Sequence, residues 1–189
     1  QASSLTALTP ARLVDTRTGT GATIDDLYEQ AGQRTAASTY TVDIAGRGGV
    51  PANATTVVLN VAAVKPGTGG YLTVHPCAPT TPNSSNLNYI ASTNAANLVI
   101  TRLDATGAAC FFTSQATDLI VDVVAFYDED VPGPPWAQSF TPARLVDTRP
   151  AGVTTDGRQQ ADGQRSAGST YTVQVTENAG AFFITQAGQ

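Results

Sequence analysis

The sequence is poor in positive charge and in long apolar runs. Lys65 is the only lysine, and 10 cationic residues stand against 15 acidic ones, for a formal net charge of −5. Without a basic surface a chain cannot neutralise a phosphate backbone, so we expect no nucleic-acid partner. No stretch approaches the roughly 20 apolar residues that span a bilayer, so we expect no membrane insertion.

Residues that carry out catalysis are also scarce. His75 is the only histidine, and the chain holds no nucleophile elbow, zinc-protease motif or phosphate-binding glycine loop. A Ser-His-Asp triad would have to use His75, which stands next to Pro76 and Cys77 and is more typical of a surface or structural histidine. The sequence therefore predicts a protein that is not an enzyme, with no catalytic residues.

The chain has only two cysteines, Cys77 and Cys110, which allow one intrachain pairing. A bridge between them agrees with an oxidising compartment and stabilises the fold by about 3–4 kcal/mol. Two buried free thiols are the alternative, whereas two sulfurs and one histidine fall short of four metal ligands. Because the chain begins Gln-Ala-Ser-Ser without Met, as after signal-peptide removal, we expect an extracellular or cell-surface location.

Short β-branched and aromatic runs, bounded by many of the 17 glycines and 11 prolines, indicate strands and tight turns. They predict an all-β fold, an antiparallel β-sandwich or barrel-like module of about eight strands, plus a partial second copy. The predicted strands are Arg12–Thr16, Thr39–Ile44, Thr56–Val64, Gly70–His75, Leu87–Ile90, Asn97–Leu103, Ala109–Thr113 and Leu119–Phe126.

The strongest internal signal is a repeat. Thr9–Arg17 recurs unchanged as Thr141–Arg149, and Ser38–Val42 recurs as Ser169–Val173. A period of about 130 residues is that of a whole domain rather than of a solenoid coil. The sequence therefore predicts tandem globular modules.

Module boundaries follow from composition. An acidic and then proline-rich stretch separates the copies and is poor at strand pairing. We therefore expect a complete β module over residues 1–130, a Pro-rich linker over 131–136 and a partial second copy over 137–189. The second copy follows the first only as far as Val173 and has no counterpart of Val57–Val64 or Leu119–Tyr127.

Charged residues interrupt otherwise apolar strands. Asp122 lies in a run that is apolar on both parities, and a carboxylate in such a place needs a cation. Strand alternation puts Leu13, Asp15 and Arg17 on one side and Arg12, Val14 and Thr16 on the other, so that Asp15 and Arg17 pair. We predict a structural polar network of Arg12, Asp15, Arg17, Arg102 and Asp122, with the repeat-equivalent residues Arg144, Asp147 and Arg149. A ligand role for these residues, toward a sugar or an acidic polymer, is the alternative.

Two acidic clusters offer oxygen ligands to a hard cation. They are the pair Asp25 and Asp26, and the run Asp128, Glu129 and Asp130. Their spacing is not that of an EF-hand, and a solvated acidic linker accounts for the second cluster. We therefore expect no cofactor and no metal site, with Ca²⁺ as the one alternative.

The repeated segment resembles a known signature. Its Pro-Ala-Arg-Leu-Val-Asp-Thr-Arg is similar to the Pro-x-Arg-Leu-Leu/Val-Asp-Thr-Arg signature of modules in secreted and cell-surface proteins of actinobacteria and related bacteria. Such modules occur in tandem or appended to exported hydrolases, and the resemblance implies a non-catalytic accessory or surface role. It covers the first module, at Pro10–Arg17, Gly49–Ala54, Val58–Val61, Gly70–Cys77, Ser85–Tyr89, Ala96–Val99, Cys110 and Leu119–Val124.

These observations predict an extracellular structural or adhesive repeat protein. An unfinished β module exposes strand edges, so we expect self-association, with fibre subunits linked by strand donation or swapping from the partial second module. The alternative is an accessory module that binds carbohydrate, either cell-wall or other polysaccharide. Tyr28, Tyr71, Tyr89 and Trp136 are its candidate stacking residues.

Overall fold

The structure is a computed structural model that describes residues 4–128, 145–154 and 156–173. The chain divides into two compact units, Gln1–Ala137 and Gln138–Gln189, which are described separately below. No helix in the described part of the chain has the length and apolar character that crossing a membrane requires.

Eight strands form the first unit, and each corresponds to a predicted run. The largest difference is at β1, which begins at Ser4 rather than at Arg12. The segment before Arg12 alternates poorly and contains Pro10, which has no N–H to donate, and the β1–β8 register shifts there, between Ala7 and Ala11. The strands are β1 Ser4–Asp15, β2 Ser38–Asp43, β3 Thr56–Val64, β4 Gly70–Pro76, β5 Leu87–Tyr89, β6 Ala95–Arg102, β7 Ala108–Thr113 and β8 Asp118–Asp128.

The strands make two four-stranded sheets, in the orders β1-β8-β3-β6 and β2-β7-β4-β5. Every neighbouring pair is antiparallel. The predicted all-β antiparallel fold of eight strands is confirmed, and because neither sheet closes on itself it is a sandwich rather than a barrel. The strand order is that of an eight-stranded jelly roll, in which every pair of consecutive strands except β4 and β5 crosses between the two sheets.

The core lies between the sheets and is built from alternate residues of each strand. Val57, Leu59 and Val61 on β3 are fully buried and alternate with side chains on the outer face, as a sheet with one buried face requires. Their main partners from the other sheet are Leu72 on β4 and Phe111 on β7, both almost fully buried. This packing fixes the register of the strands that hold the polar residues described next.

β1 is an edge strand, and β8 is its neighbour in the sheet. Ser4 lies opposite Asp128 and Asp15 lies opposite Ile120, so the pair runs the whole length of both strands. The two ends of the eight-strand fold therefore lie side by side.

Candidate functional site

A β-bulge in β1 determines which polar side chains meet. Arg12 lies opposite Asp122, but Val14 rather than Leu13 lies opposite Val121, so β1 has one extra residue here. Asp15 then lies opposite Ile120, on the same face as Arg12. The prediction from strict alternation that Arg12 and Asp15 point to opposite sides was therefore wrong, because the bulge reverses the parity.

Asp15 is the centre of the polar cluster, and its side chain is fully buried. Arg17 binds it through two hydrogen bonds, Nε to Oδ1 at 2.9 Å and Nη2 to Oδ2 at 2.6 Å. Arg12 donates from Nη1 to Oδ2 of Asp15 at 3.3 Å and from Nε to Oδ1 of Asp122 at 2.8 Å. Burial raises the pKa of Asp15, but the hydrogen bonds and charges of Arg17 and the charge of Arg12 outweigh it, so the pKa lies below its usual value.

Arg102 is not part of this cluster, although the sequence analysis grouped it there. It lies at the end of β6 opposite Thr56, whereas Asp122 lies opposite Asn60 on the far side of β3. None of the ion pairs found within the described ranges includes Arg102. Arg102 and Asp122 therefore lie beside different positions along β3, and the sequence pattern does not reveal which residues of neighbouring strands lie side by side.

The loop of residues 16–34, here called the first loop, folds back onto β1. The backbone N–H of Asp15 donates to Tyr28 O at 3.2 Å, and the N–H groups of Gln30 and Gly32 donate to Asp15 O and Thr16 O, both at 2.8 Å. Thr16 Oγ1 also donates to Asp118 Oδ1 at 3.0 Å. The first loop therefore covers Asp15 and ties β1 to the start of β8.

Arg47 holds the first loop in place, and the sequence analysis missed it. Its guanidinium donates to both carboxylate oxygens of Asp25, at 2.6 and 2.7 Å, and to the carbonyls of Asp43 and Leu13, at 2.7 and 2.9 Å. It also lies over the ring of Tyr28, 4.8 Å from the centroid. A basic residue inside the turn Gly-Arg-Gly-Gly was the available signal.

The ion pair with Arg47 also favours the charged form of the Asp25 carboxylate. The hydrogen bonds from Arg47 lower the pKa of Asp25, and both carboxylate oxygens are occupied by the guanidinium. Asp25 therefore has an ion-pair partner within the fold. Within residues 4–128, 145–154 and 156–173 no group of three or more His, Cys, Asp or Glu side chains is placed to hold a metal ion, and Glu129 and Asp130 lie outside those ranges.

The second unit repeats the arginine–aspartate pair and the main backbone hydrogen bonds of the first loop. Arg149 binds Asp147 with the same two distances that join Arg17 to Asp15, 2.9 and 2.6 Å. The Asp147 N–H donates to Gln159 O and the Ala161 N–H donates to Asp147 O, both at 3.0 Å, as in the first loop. We call residues 148–165 the second loop. Arg144, the predicted equivalent of Arg12, lies outside the described residues.

Several side-chain hydrogen bonds of the second loop also match those of the first loop. Thr154 donates from Oγ1 to Arg158 O at 2.6 Å, as Thr23 does to Leu27 O. Asp156 corresponds to Asp25, but its Oδ2 is buried with no hydrogen-bond partner in the described part of the chain. At the spacing that relates Val42 to Val173, Asn178 stands in place of Arg47. The second loop therefore has the acid of this contact without the arginine.

Cys77 and Cys110 form the disulfide, with Cα atoms 4.9 Å apart, and no free cysteine remains. His75, opposite Cys110 on the neighbouring strand, donates from Nδ1 to Pro76 O at 2.7 Å. Its Nε2 is buried and has no partner among the residues that the structure describes. Among the described residues, no hydrogen bond joins the His75 ring to a hydroxyl, thiol or carboxylate group.

The candidate stacking residues do not form one surface. Tyr89 is buried, with its hydroxyl bonded to Thr113, and Tyr28 packs edge-on against Tyr40. Tyr71 is exposed beside Phe112, and Trp136 lies outside the described residues.

The fold and the cluster define a jelly-roll module whose charged residues fasten its first strand and loop. No family model matches the chain, and no curated protein matches it. Among solved structures, the Tobacco streak virus coat protein is similar at 8% sequence identity, covering 71% of this chain and 92% of that chain, with a TM-score of 0.35. A likeness of this size carries no argument about what this chain does.

Proposed function

We propose that this chain is an extracellular structural or adhesive protein built from jelly-roll modules, and that its second copy links subunits by strand donation or swapping. The observation that carries the proposal is the contrast between the two copies. The second loop has the backbone bonds of the first, yet Val146 is 37% exposed where its counterpart Val14 is fully buried. A segment with a native loop and an uncovered apolar residue is suited to pairing with another sheet.

The chemistry of the polar cluster supports a role without catalysis. Asp15 and Asp25 are each bound by an arginine within the first unit. Charges paired in this way stabilise one arrangement of the chain and are not free to bind a substrate or transfer a proton. The disulfide supports an oxidising, extracellular setting, because disulfides form and persist in oxidising compartments.

The proposal is tested with the full chain beside a version that ends at Asp130. Both are examined over a range of concentrations by light scattering and negative-stain electron microscopy. We expect ordered oligomers or fibres from the full chain only, because the shorter version lacks the second copy. If both proteins stay monomeric throughout the range, the linking function is refuted.

A carbohydrate-binding function is distinguished in the same series. Retention of the first unit on insoluble cell-wall polysaccharide, together with monomeric behaviour of the full chain, would favour the accessory-module alternative. Replacement of Tyr71 by Ala would then be the first variant to compare, since Tyr71 is the exposed member of the Tyr71–Phe112 ring pair.

A further inference from the structure

We infer that residues 145–173, here called the donor segment, are an interchangeable first segment for a neighbouring copy of this chain. In that neighbour they take the place of the residues from Leu13 to Val42 against β7 and β8, and the neighbour's own Arg47 binds Asp156. This inference rests on the proposed function and names the surface and partner through which the linkage occurs. Residues 44–128, which receive the segment, are here called the frame.

The residues that bind the frame are retained in the donor segment. Thr148 corresponds to Thr16, which donates to Asp118 on the frame, and the sequence Ser169–Val173 is identical to the part of β2 that pairs with β7. Val173 corresponds to Val42, a fully buried core residue opposite Ala109. Each contact that the first segment makes at these points is therefore available to the donor segment.

The first feature that points to a missing partner is the exposure of two side chains in the second unit. Val146 is 37% exposed and Arg149 has a side chain that is 74% exposed, against fully buried Val14 and 31% for Arg17. The apolar side chain thus lacks the cover that β8 gives its counterpart. In the proposed exchange, β8 in the frame of the neighbouring chain covers Val146.

The second feature is the charge of Asp156. In the first unit, Arg47 follows β2 directly and belongs to the frame, and it makes two hydrogen bonds to Asp25 of the first segment. In the second copy the sequence departs after Val173 and carries no arginine at this spacing. A frame supplied by another subunit provides this arginine, and the buried Oδ2 of Asp156 is the atom that needs it.

The backbone of the donor segment is suited to the conformation that the first segment adopts. Gly157 and Gly168 adopt positive φ values of 71° in the second copy, where Asp26 and Ala37 adopt 59° and 53° in the first. Glycine enters this region without the steric cost that other residues have, which favours the donor segment. Against it, Gln159 stands where Tyr28 contacts Arg47. Because the exchange joins two chains, its extent rises with protein concentration.

The charge contact is tested in the full chain, after unfolding and refolding at high concentration to allow exchange. Asp156→Arg opposes the neighbour's Arg47, and we expect the concentration for half-maximal association to rise at least about tenfold. Ala151→Arg is the control, because it also introduces an arginine into the second loop, on an exposed residue whose counterpart Thr20 is exposed in the first unit. Equal association of the two variants would overturn the inference.

A crosslink tests the register and does not depend on the stability of the second loop. Thr39 lies opposite Phe112 on β2 and β7, and Thr170 is its counterpart. Chains carrying Thr170→Cys are mixed with chains carrying Phe112→Cys, refolded together and oxidised. We expect the mixed disulfide at least about tenfold above that formed with Leu98→Cys, an exposed residue of β6.

The outcomes separate the two proposals. If the full chain assembles but neither Asp156→Arg nor the crosslink behaves as expected, the exchange mechanism is wrong and the linking function stands. If the full chain does not assemble at any concentration, both are wrong.

Discussion

Arg12 and Asp122 lie directly opposite each other on β1 and β8, and the Nε of Arg12 donates to Oδ1 of Asp122 at 2.8 Å. Their side chains are 38% and 21% exposed, so water weakens their attraction. Asp15, the other partner of Arg12, is fully buried and also bound by Arg17. The cluster therefore contains one buried carboxylate with two cations and one half-exposed carboxylate with a single cation.

A double-mutant cycle on Arg12 and Asp122 measures the interaction free energy of this partly exposed ion pair. We expect a coupling energy of about 1 kcal/mol from the unfolding free energies of Arg12→Ala, Asp122→Ala and the double variant. Asp15→Ala is expected to cost more, about 3 kcal/mol, because it leaves Arg17 unpaired beside a buried site. A coupling of Arg12 to Asp122 larger than the cost of Asp15→Ala would contradict this order.

Acid is expected to destabilise the first unit through Asp15 and Asp25. Both pKa values lie below the usual range in the folded protein, for Asp25 because of the hydrogen bond from Arg47. Such carboxylates contribute stability that is fully present above their unfolded pKa, about 4, and is lost as pH falls through the folded pKa. Urea unfolding followed by circular dichroism should show the midpoint falling below about pH 4.

Asp25→Asn isolates the part of this dependence that belongs to Arg47. We expect a lower urea midpoint at pH 7 and a shallower loss of stability in acid than in the unmodified chain. Asp26→Asn is the control, since Asp26 is exposed and adjacent. If the urea midpoint of Asp25→Asn and that of the unmodified chain fell equally in acid, Asp25 would not contribute to the loss of stability at low pH.

Gly21 is expected to tolerate no side chain. A Cβ built on it would lie 2.7 Å from the carbonyl oxygen of Arg17 and closer still to that of Asp15. Both obstacles are backbone atoms that the first loop holds by hydrogen bonds, so Gly21→Ala should cost about 2–4 kcal/mol of unfolding free energy. Gly67→Ala, where the Cβ meets nothing within 4 Å, should stay within about 0.5 kcal/mol of the unmodified chain.

Removal of the disulfide is expected to cost about 3–4 kcal/mol, because a closed loop with a sequence separation of 33 loses its constraint on the unfolded chain. Cys77→Ser, Cys110→Ser and the double variant should show the same loss in thermal unfolding. The unmodified chain in reductant should match them. A double variant as stable as the oxidised chain would contradict this prediction, because the disulfide would then give no net stabilisation.

Much of the fold could be predicted from strand patterns, while the polar cluster could be predicted only in part. Runs such as Thr56–Val64 are rich in β-branched and other apolar residues and are bounded by turn residues, and their bounds agree with β3. The pairing of Arg12 and Asp15 depends on a bulge, and a bulge leaves no mark on the alternation of a short segment. The contacts of Arg47 depend on the tertiary fold, which brings the turn after β2 beside the first loop, and local sequence patterns do not contain this information.

The ends of the eight-strand fold, Ser4 and Asp128, lie opposite each other on β1 and β8, and this determines how the first unit responds to tension. A force applied through both ends acts on the same end of one strand pair, so the hydrogen bonds of β1 and β8 are loaded one after another rather than all together. Cys77 and Cys110 lie on the other sheet, away from the direct load path. In a stretched fibre this unit would open from its edge strand at low force, extending the chain before the disulfide was loaded.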